Sequence, residues 1–300
     1  MWTKLGDLYW VEESGQREVL AAASGLIRLG DFLWITADDL HHLIQVPLDG
    51  SLCGQGHRIF PGDLPAGRKA RKRVKPDTEA LIHIPWNNQA LLVALPSGSK
   101  PHRIRGAVVI LDSENRIVSV ETADFSSLLQ ALDQRVPDLN IEGGAVWNDK
   151  LVLLQRGNGK AGFNGVVELD LASFISAVLS SGKMEHTLHD IREVQLPELS
   201  GVRLTFTDAE TVNGTLYFSA AAEGGKDTYL DGTVTGSAVG CLDKHYVPKI
   251  RSTVERHKAE GLALSRAEGH SLEFFVVTDA DDPLVPSHLF KVLISSRAVE

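Results

Sequence analysis

The segment KAEGLAL at residues 258–264 places a lone glutamate and a glycine directly before an apolar run. Similar segments are PDTEALIHI (76–84), NIEGGAV (140–146) and TDAETV (207–212). Each is followed by a second apolar or aromatic run between polar residues, a composition that is typical of short buried strands. The sequence therefore predicts a repeated unit that consists of an opening strand, a tight turn, an aromatic strand, a polar loop and a third strand.

Aligning the repeats assigns one position to four glutamates, and Ser24 takes this position in the first copy, AASGLIRL (22–29). The four glutamates are Glu79, Glu142, Glu210 and Glu260. Successive positions are 50 to 68 residues apart. Repeats of this length that are built from short strands are typical of a β-propeller.

We therefore predict an all-β fold, a single β-propeller domain over residues 1–300 with five blades, and six blades are the alternative. The last unit lacks a fourth strand after residue 294. The N-terminal run KLGDLYWVE (4–12) is predicted to supply this strand and to close the ring, because closure removes sheet edges that would otherwise be exposed.

Two segments have apolar residues at helical spacing, DFSSLLQALDQRV (124–136) and DLASFISAVLSSG (170–182). We predict both as helices that are inserted at the surface between blades. The basic segment GRKARKRVKPDTE (67–79) is predicted as a loop that connects two blades.

One face of the predicted propeller collects most of the charged residues. In this topology the starts of the inner strands share a face with the loops that join second to third strands and one blade to the next. In blade order, these loops contribute Asp38, Asp39, His41 and His42; Lys100, His102, Arg103 and Arg105; Arg156, Asn158, Lys160 and Asn164; Glu223, Lys226, Asp227, Tyr229 and Asp231; and Asp279, Asp281, Asp282 and His288. The other face receives short turns, so the charged face is where we expect the functional site.

The glutamates are predicted to converge at the mouth of the channel, with Glu79, Glu142, Glu210 and Glu260 as catalytic residues. Carboxylates this close need a cation, hydrogen bonds or shared protons. Ca²⁺ is one candidate, because it takes six to eight oxygen ligands, and its predicted ligands are Glu142, Glu210 and Glu260. Two alternatives remain open, which are acid–base chemistry without a metal and a bracing role across blade junctions.

A second set of residues is predicted to hold an anionic small-molecule substrate, because arginine and lysine suit oxyanion recognition. These substrate-binding candidates are Lys75, Arg103, Arg105, Arg156 and Asp279. The leading functional hypothesis is a hydrolase of a phosphate or carboxyl ester that depends on a divalent cation. The alternative is a non-catalytic binding or scaffold propeller that recognises a peptide, a sugar or a protein partner.

Composition limits the classes of partner. The formal net charge of −9 disfavours nucleic acid and an anionic membrane as partners. No run is long enough to span a membrane, and the N-terminus lacks the apolar core of a secretory signal, so we expect a cytoplasmic protein. The glycine-rich segment GNGKAGFNG (157–165) lacks the Gly-Lys-Ser/Thr of a P-loop, and no nucleotide cofactor is expected.

Short motifs add a resemblance. EGLAL, IEGGAVW and KPDTEAL, followed by VVTDADDP, resemble segments of small uncharacterised bacterial β-propeller proteins. More loosely, they are similar to the esterase-like phytase and SdiA-regulated propeller groups. The resemblance implies a propeller with a Ca²⁺ or phosphoester role. The chain departs from those groups in having five repeats rather than six and no secretion signal.

Overall fold

The computed structural model describes residues 1–12, 14–224 and 233–296, and these residues form five mainly antiparallel sheets. The inner strands of consecutive sheets pack against one another, and the inner strand of the last sheet packs against that of the first. The sheets are therefore five blades in a closed ring. The predictions of an all-β fold and of a five-bladed propeller are confirmed.

The chain begins with a strand that belongs to the last blade, β1 (Trp2–Asp7). Blade one then contains β2 (Tyr9–Val11), β3 (Arg17–Val19), β4 (Ala23–Leu29), β5 (Phe32–Ala37), β6 (His42–Pro47) and β7 (Cys53–Arg58). A short helix, α1 (Arg68–Val74), leads to blade two, which contains β8 (Thr78–Trp86), β9 (Gln89–Pro96), β10 (Arg105–Leu111) and β11 (Ile117–Asp124).

Helix α2 (Ser126–Asp133) connects blade two to blade three. Blade three contains β12 (Ile141–Trp147), β13 (Lys150–Gln155), β14 (Gly165–Asp170), helix α3 (Leu171–Leu179), a 3-10 turn (Glu185–Thr187) and β15 (Leu188–Glu193). Blade four contains β16 (Glu198–Leu199), β17 (Val202–Val212), β18 (Thr215–Gly224), β19 (Thr233–Leu242) and β20 (Pro248–Glu255). Blade five contains β21 (Lys258–Glu268), β22 (Ser271–Asp279) and β23 (His288–Ser295).

The N-terminal strand closes the ring as predicted. β1 pairs antiparallel with β23, with Trp2 opposite Val292 and Asp7 opposite His288. The rest of the predicted closing run behaves differently, because β2 leaves blade five and pairs in parallel with β7 of blade one. One short segment therefore joins the last blade to the first.

Both predicted helices are present, but their setting differs from the prediction. α3 lies within blade three rather than between blades, and Asp170 accepts a hydrogen bond from the Ser173 N–H at 2.8 Å as its N-cap. α2 and α3 bury Leu132 and Phe174 in one core with blades two and three, so they are part of the core rather than surface insertions. The predicted loop at 67–79 contains α1, because Ala, Lys and Arg favour helix. The helix ends just before Pro76, which disfavours helical geometry at the preceding residue.

A β-bulge lies near the start of every inner strand, and it explains the repeated Glu-Gly segments. The register shifts at Glu79, at Glu142 and at Glu260–Gly261. A Cβ on Gly143 would lie 2.4 Å from Cα of Asp208, and one on Gly261 would lie 2.5 Å from Cβ of Leu26. The glycine therefore lets the next blade approach closely, while the bulge turns the preceding side chain towards the channel mouth.

Candidate functional site

A cavity of about 180 Å³ lies at the mouth of the channel and is lined by residues of all five blades. Among the residues that the structure describes, ten carboxylate side chains line it, which are Asp38, Asp39, Asp77, Glu79, Glu142, Glu223, Glu260, Asp279, Asp281 and Asp282. Six basic side chains of the same described residues also line it, which are Arg71, Lys72, Lys75, Arg103, Arg156 and Lys258. We call this cavity the mouth pocket.

The structure brings together most of the predicted site residues. The predicted residues that line the mouth pocket are Glu79, Glu142, Glu260, Lys75, Arg103, Arg156 and Asp279. Arg105 does not line it, because its side chain is exposed at the start of β10, opposite Asp124 of the outer strand. Four residues of the predicted face, Lys226, Asp227, Tyr229 and Asp231, lie outside the described residues.

The histidines predicted for this face have other surroundings. His41 contacts the Gly62 carbonyl at 2.9 Å. His42 is buried with its ring 5.0 Å from that of Trp10. None of the described histidines lines the mouth pocket, so its chemistry is that of carboxylates, lysines and arginines.

Glu210 is a correction to the alignment of the repeats. The bulge of β17 lies at Thr207, which therefore takes the position of the other glutamates, and Glu210 is three residues further along the strand. Its side chain is half-buried, and the carboxylate accepts hydrogen bonds from the backbone N–H groups of Leu264 and Thr211. Glu210 thus braces blade four against blade five instead of lining the mouth pocket. The segment Asp208–Glu210 matched the repeat in sequence, but the sequence does not show at which residue of β17 the bulge lies.

The first ion-pair network lies between blades one and two, with Asp77 at its centre. Lys75 Nζ lies 2.9 Å from one oxygen of Asp77, and Arg103 lies 2.7 Å from the other. Lys75 also pairs with Asp38, and Arg103 donates a 2.6 Å hydrogen bond to Ser99 Oγ. Burial acts to raise the pKa of Asp77, but the charges of Lys75 and Arg103 outweigh it and hold this pKa below its usual value. Asp77 is therefore ionised.

Glu79 lies beside this network without joining it. One oxygen each of Asp38, Asp77 and Glu79 lie within 4.8 Å of one another. Among the described residues, Glu79 has no hydrogen-bond or ion-pair partner. Burial and the negative charges of Glu142, Asp77 and Asp38 raise its pKa well above the usual value. Glu79 and Asp77 are thus neighbouring carboxyl groups whose pKa values are driven in opposite directions.

The second network connects blades three, four and five through Arg156. Its guanidinium lies 3.2 Å from Glu142, 2.5 Å from Glu223 and 3.7 Å from Glu260. Its Nε donates a hydrogen bond of 3.2 Å to Thr205 Oγ1. The side chain is 4% exposed. Arg156 is therefore a fixed internal cation that three carboxylates share.

Lys258 is the second shared cation. Its Nζ lies 2.9 Å from Asp281, 3.1 Å from Glu260, and 3.7 Å from both Glu223 and Asp279. Burial raises the pKa of Glu260 to about 7 even though Lys258 and Arg156 oppose this rise. Burial also raises the pKa of Asp279 well above its usual value.

Sequence reasoning missed Asp77, Asn140 and Lys258, although all three lie in the repeated segments. Each stands two residues before Glu79, Glu142 or Glu260, and each lines the mouth pocket. Asn140 donates a 2.5 Å hydrogen bond to Glu142. The constant offset of two residues from the aligned glutamates was the signal that could have found them.

The predicted metal ligands Glu142, Glu210 and Glu260 do not form one group, because Glu210 lies elsewhere and the other two share Arg156. Asp38, Asp77 and Glu79 have the spacing of a metal site instead. The Lys75 ammonium, however, already contacts both Asp38 and Asp77.

A family model covers nearly all of the chain, since the model of the family of unknown function DUF6929 matches residues 19–294. The chain belongs to this family. A search of curated protein sequences gave no match to this DUF6929 chain. The looser likeness to esterase-like phytases and SdiA-regulated propellers stays a prediction.

Several solved structures are similar to the DUF6929 chain in fold. A luciferin-regenerating enzyme is 11% identical with a TM-score of 0.41, and the match covers 98% of this chain and 95% of that one. An exo-1,5-α-L-arabinanase from a bovine ruminal metagenomic library is 8% identical with a TM-score of 0.47, covering 92% and 94%. The arabinanase Arb43A of Bacillus subtilis is 12% identical with a TM-score of 0.42, covering 91% and 94%. These likenesses say nothing about the activity of this chain.

Within the described part of the DUF6929 chain, no helix has the length and apolar character needed to cross a membrane.

Proposed function

We propose that the chain is a hydrolase that cleaves a small polar molecule in the mouth pocket by acid–base chemistry. The observation that supports this proposal is the contrast between Glu79 and Asp77. Adjacent carboxyl groups whose pKa values are pushed apart are typical of acid–base sites. Burial and the neighbouring carboxylates raise the pKa of Glu79 well above its usual value, so Glu79 is the proposed proton donor for the leaving oxygen.

The proposed base is Asp281, on the opposite side of blade one from Glu79. Burial acts to raise the pKa of Asp281, but Lys258 outweighs this effect and holds the pKa below the usual value. The side chain of Asp281 is 19% exposed, compared with 2% for Asp77. An ionised carboxylate that water can reach suits the activation of a water molecule.

Lys75 supplies the positive charge beside Asp38 and Asp77 in this proposal. In a second version of the proposal, the hydrolase depends on Ca²⁺, as predicted from the sequence. This version requires space for the ion among the carboxylates. Asp38, Asp77 and Glu79 place their oxygens close enough to bind one ion, but Ca²⁺ would have to displace the Lys75 ammonium from between two of them. The proposal therefore assigns the main role to Lys75.

The test is a panel of chromogenic phosphate esters, carboxyl esters and glycosides, assayed in EDTA and with added Ca²⁺. Glu79→Gln should lower kcat for any substrate that the wild type hydrolyses by roughly 10²-fold or more, as expected for loss of a general acid. Glu210→Gln is the matched control, because it makes the same change outside the mouth pocket. A Glu79→Gln variant that retains full turnover would contradict the proposal. A wild type without turnover on the whole panel would favour the predicted binding propeller.

A further inference from the structure

Blade one differs from blades two, three and five where its inner strand reaches the mouth pocket. Those three blades present charged or amide side chains at the bulge position and two residues before it. Blade one presents Ser24 and Ala22 at these positions, and Ala21 lines the same part of the pocket. The small side chains leave room for a ligand on this side of the pocket.

Two carboxylates flank this room, and the backbone fixes their positions. Ala22 forms a backbone bridge with Asp279 of blade five. On its other side, the Ala22 carbonyl accepts a 3.2 Å hydrogen bond from the N–H of Asp38. Both acidic side chains line the mouth pocket. A ligand group above Ala22 and Ser24 therefore has a carboxylate on each side.

Among the described residues, the cations of the two ion-pair networks are fewer than the carboxylates around them. The two networks and Glu79 contain eight carboxylates, which are Asp38, Asp77, Glu79, Glu142, Glu223, Glu260, Asp279 and Asp281. They contain four cations, which are Lys75, Arg103, Arg156 and Lys258. Buried charge needs a partner or a proton. Asp279 accepts a 2.8 Å hydrogen bond from the Asp281 N–H, and its contact with Lys258 is 3.7 Å, so none of the described cations lies close to it.

We infer that the ligand group that lies over Ala22 and Ser24 is an ammonium, held between Asp279 and Oδ1 of Asp38, because Lys75 contacts the other oxygen of Asp38, Oδ2. This inference rests on the proposed function of the same pocket and names its substrate class, a small polar molecule that carries a primary amine. Burial raises the pKa values of both carboxyl groups in the free protein, and an arriving ammonium opposes that rise, so binding favours their ionised forms. The anionic substrate predicted from the sequence would meet two carboxylates here.

The test compares three six-carbon polyols that differ only at one terminal group, the amine D-glucamine, neutral D-sorbitol and the acid D-gluconate. Isothermal titration calorimetry in buffers of different ionisation enthalpy measures both affinity and proton release. We expect glucamine to bind roughly tenfold or more tightly than sorbitol, a difference of about 1.4 kcal/mol, with proton release. Equal affinities, tighter binding of gluconate or no detectable binding of glucamine would each overturn the inference.

Two variants separate the ammonium position from general effects on the fold. Asp279→Asn should weaken glucamine binding by roughly tenfold. Ser24→Lys should place a lysine ammonium in the same part of the mouth pocket. It should therefore raise the thermal midpoint of unfolding and abolish glucamine binding. Glu210→Gln, outside the pocket, should leave binding unchanged. If Ser24→Lys lowers the midpoint or still binds glucamine, the position is wrong. Because calorimetry needs no turnover, these outcomes are independent of whether Glu79→Gln affects hydrolysis.

Discussion

The guanidinium of Arg156 in blade three lies 2.5 Å from the carboxylate of Glu223 in blade four. The same guanidinium contacts Glu142 of its own blade and Glu260 of blade five. One buried cation thus connects three of the five blades at the channel mouth. Three carboxylates depend on it, and water reaches little of the group, so its removal cannot be compensated by solvent.

Replacing this cation should therefore be costly. We expect Arg156→Met to lower the free energy of unfolding by about 3–5 kcal/mol, because it leaves buried carboxylates without their partner. Urea denaturation measures the change. Arg105→Met is the matched control, since it removes an exposed arginine and should change stability by less than about 0.5 kcal/mol. Similar losses in the two variants would show that Arg156 does not connect the blades as described.

The stability of the protein should fall as the pH rises from about 4.5 to 7, partly because of Glu210. Burial raises the pKa of Glu210 from 4.5 to about 7, although hydrogen bonds from Leu264 and Thr211 oppose the rise. The folded state thus binds a proton that the unfolded state has already lost in this range. The stabilisation is complete below pH 4.5 and is lost as the pH passes through 7.

Glu210→Gln tests this dependence, because glutamine stays neutral and its amide oxygen can still accept a backbone hydrogen bond. Between pH 5 and 8, the free energy of unfolding of the wild type should fall by on the order of 2 kcal/mol more than that of the variant. Urea denaturation at a series of pH values provides the curve. Glu198→Gln, which replaces an exposed glutamate of blade four, should keep the decline of the wild type. A Glu210→Gln curve that matches the wild type would mean that this carboxyl group does not titrate as inferred.

The close approach of blades three and four depends on Gly143. A Cβ at this position would lie 2.4 Å from backbone Cα of Asp208, so Gly143→Ala must push the two inner strands apart. Overpacking of this kind typically costs about 1–3 kcal/mol, and thermal or urea denaturation measures it. Gly67→Ala is the control, because a Cβ there meets nothing within 4 Å. Equal stability of the two variants would contradict the role given to the Glu-Gly segments.

Ring closure depends on contacts of Trp2. Its ring packs edge-on against Phe290 at 5.9 Å, and its Nε1 donates a 3.0 Å hydrogen bond to Ser252 of blade four. We expect Trp2→Ala to cost about 3 kcal/mol, since it removes both contacts from the closing strand. Leu5→Ala, at a side chain that is 41% exposed on the same strand, should have a much smaller effect in the same unfolding measurement. A negligible effect of Trp2→Ala would mean that β1 adds little to closure.

The repeat and the closed ring could be predicted because the repeated Glu-Gly segments are visible in the sequence. Glu142 and Gly143 recur as a pair in Glu260 and Gly261, where one residue turns towards the channel mouth and the other admits the next blade. The position of Glu210 relative to the bulge could not be predicted from the sequence, because the register of a bulge depends on the hydrogen bonds between strands. Lys258 and Asp77 could have been found from their shared offset of two residues before an aligned glutamate.

The helical conformation of α1 and the pairing of its basic residues could not be predicted from the sequence. A run of arginine and lysine predicts a solvated loop when its partners are unknown. In the folded chain, Asp39 pairs with Arg71 at 3.3 Å, and Asp38 pairs with Lys75 just beyond the helix. These acidic residues come from a blade-one loop more than thirty residues earlier, and only the topology brings them to the helix. The long-range pairing of charges is what the sequence could not supply.

The position of Lys75 leads to a prediction about metal binding. Because the Lys75 ammonium contacts Asp38 and Asp77, Ca²⁺ should shift the thermal midpoint of the wild type little relative to EDTA. Lys75→Met removes the ammonium and leaves the oxygens of Asp38, Asp77 and Glu79 within 4.8 Å of one another. Ca²⁺ should then stabilise this variant by several degrees, since a ligand at about 100 times its dissociation constant adds about 2.7 kcal/mol. Lys69→Met, at an exposed lysine of α1, controls for the change in net charge. A large Ca²⁺ shift in the wild type, equal to that in Lys75→Met, would instead favour the metal-dependent form of the hydrolase.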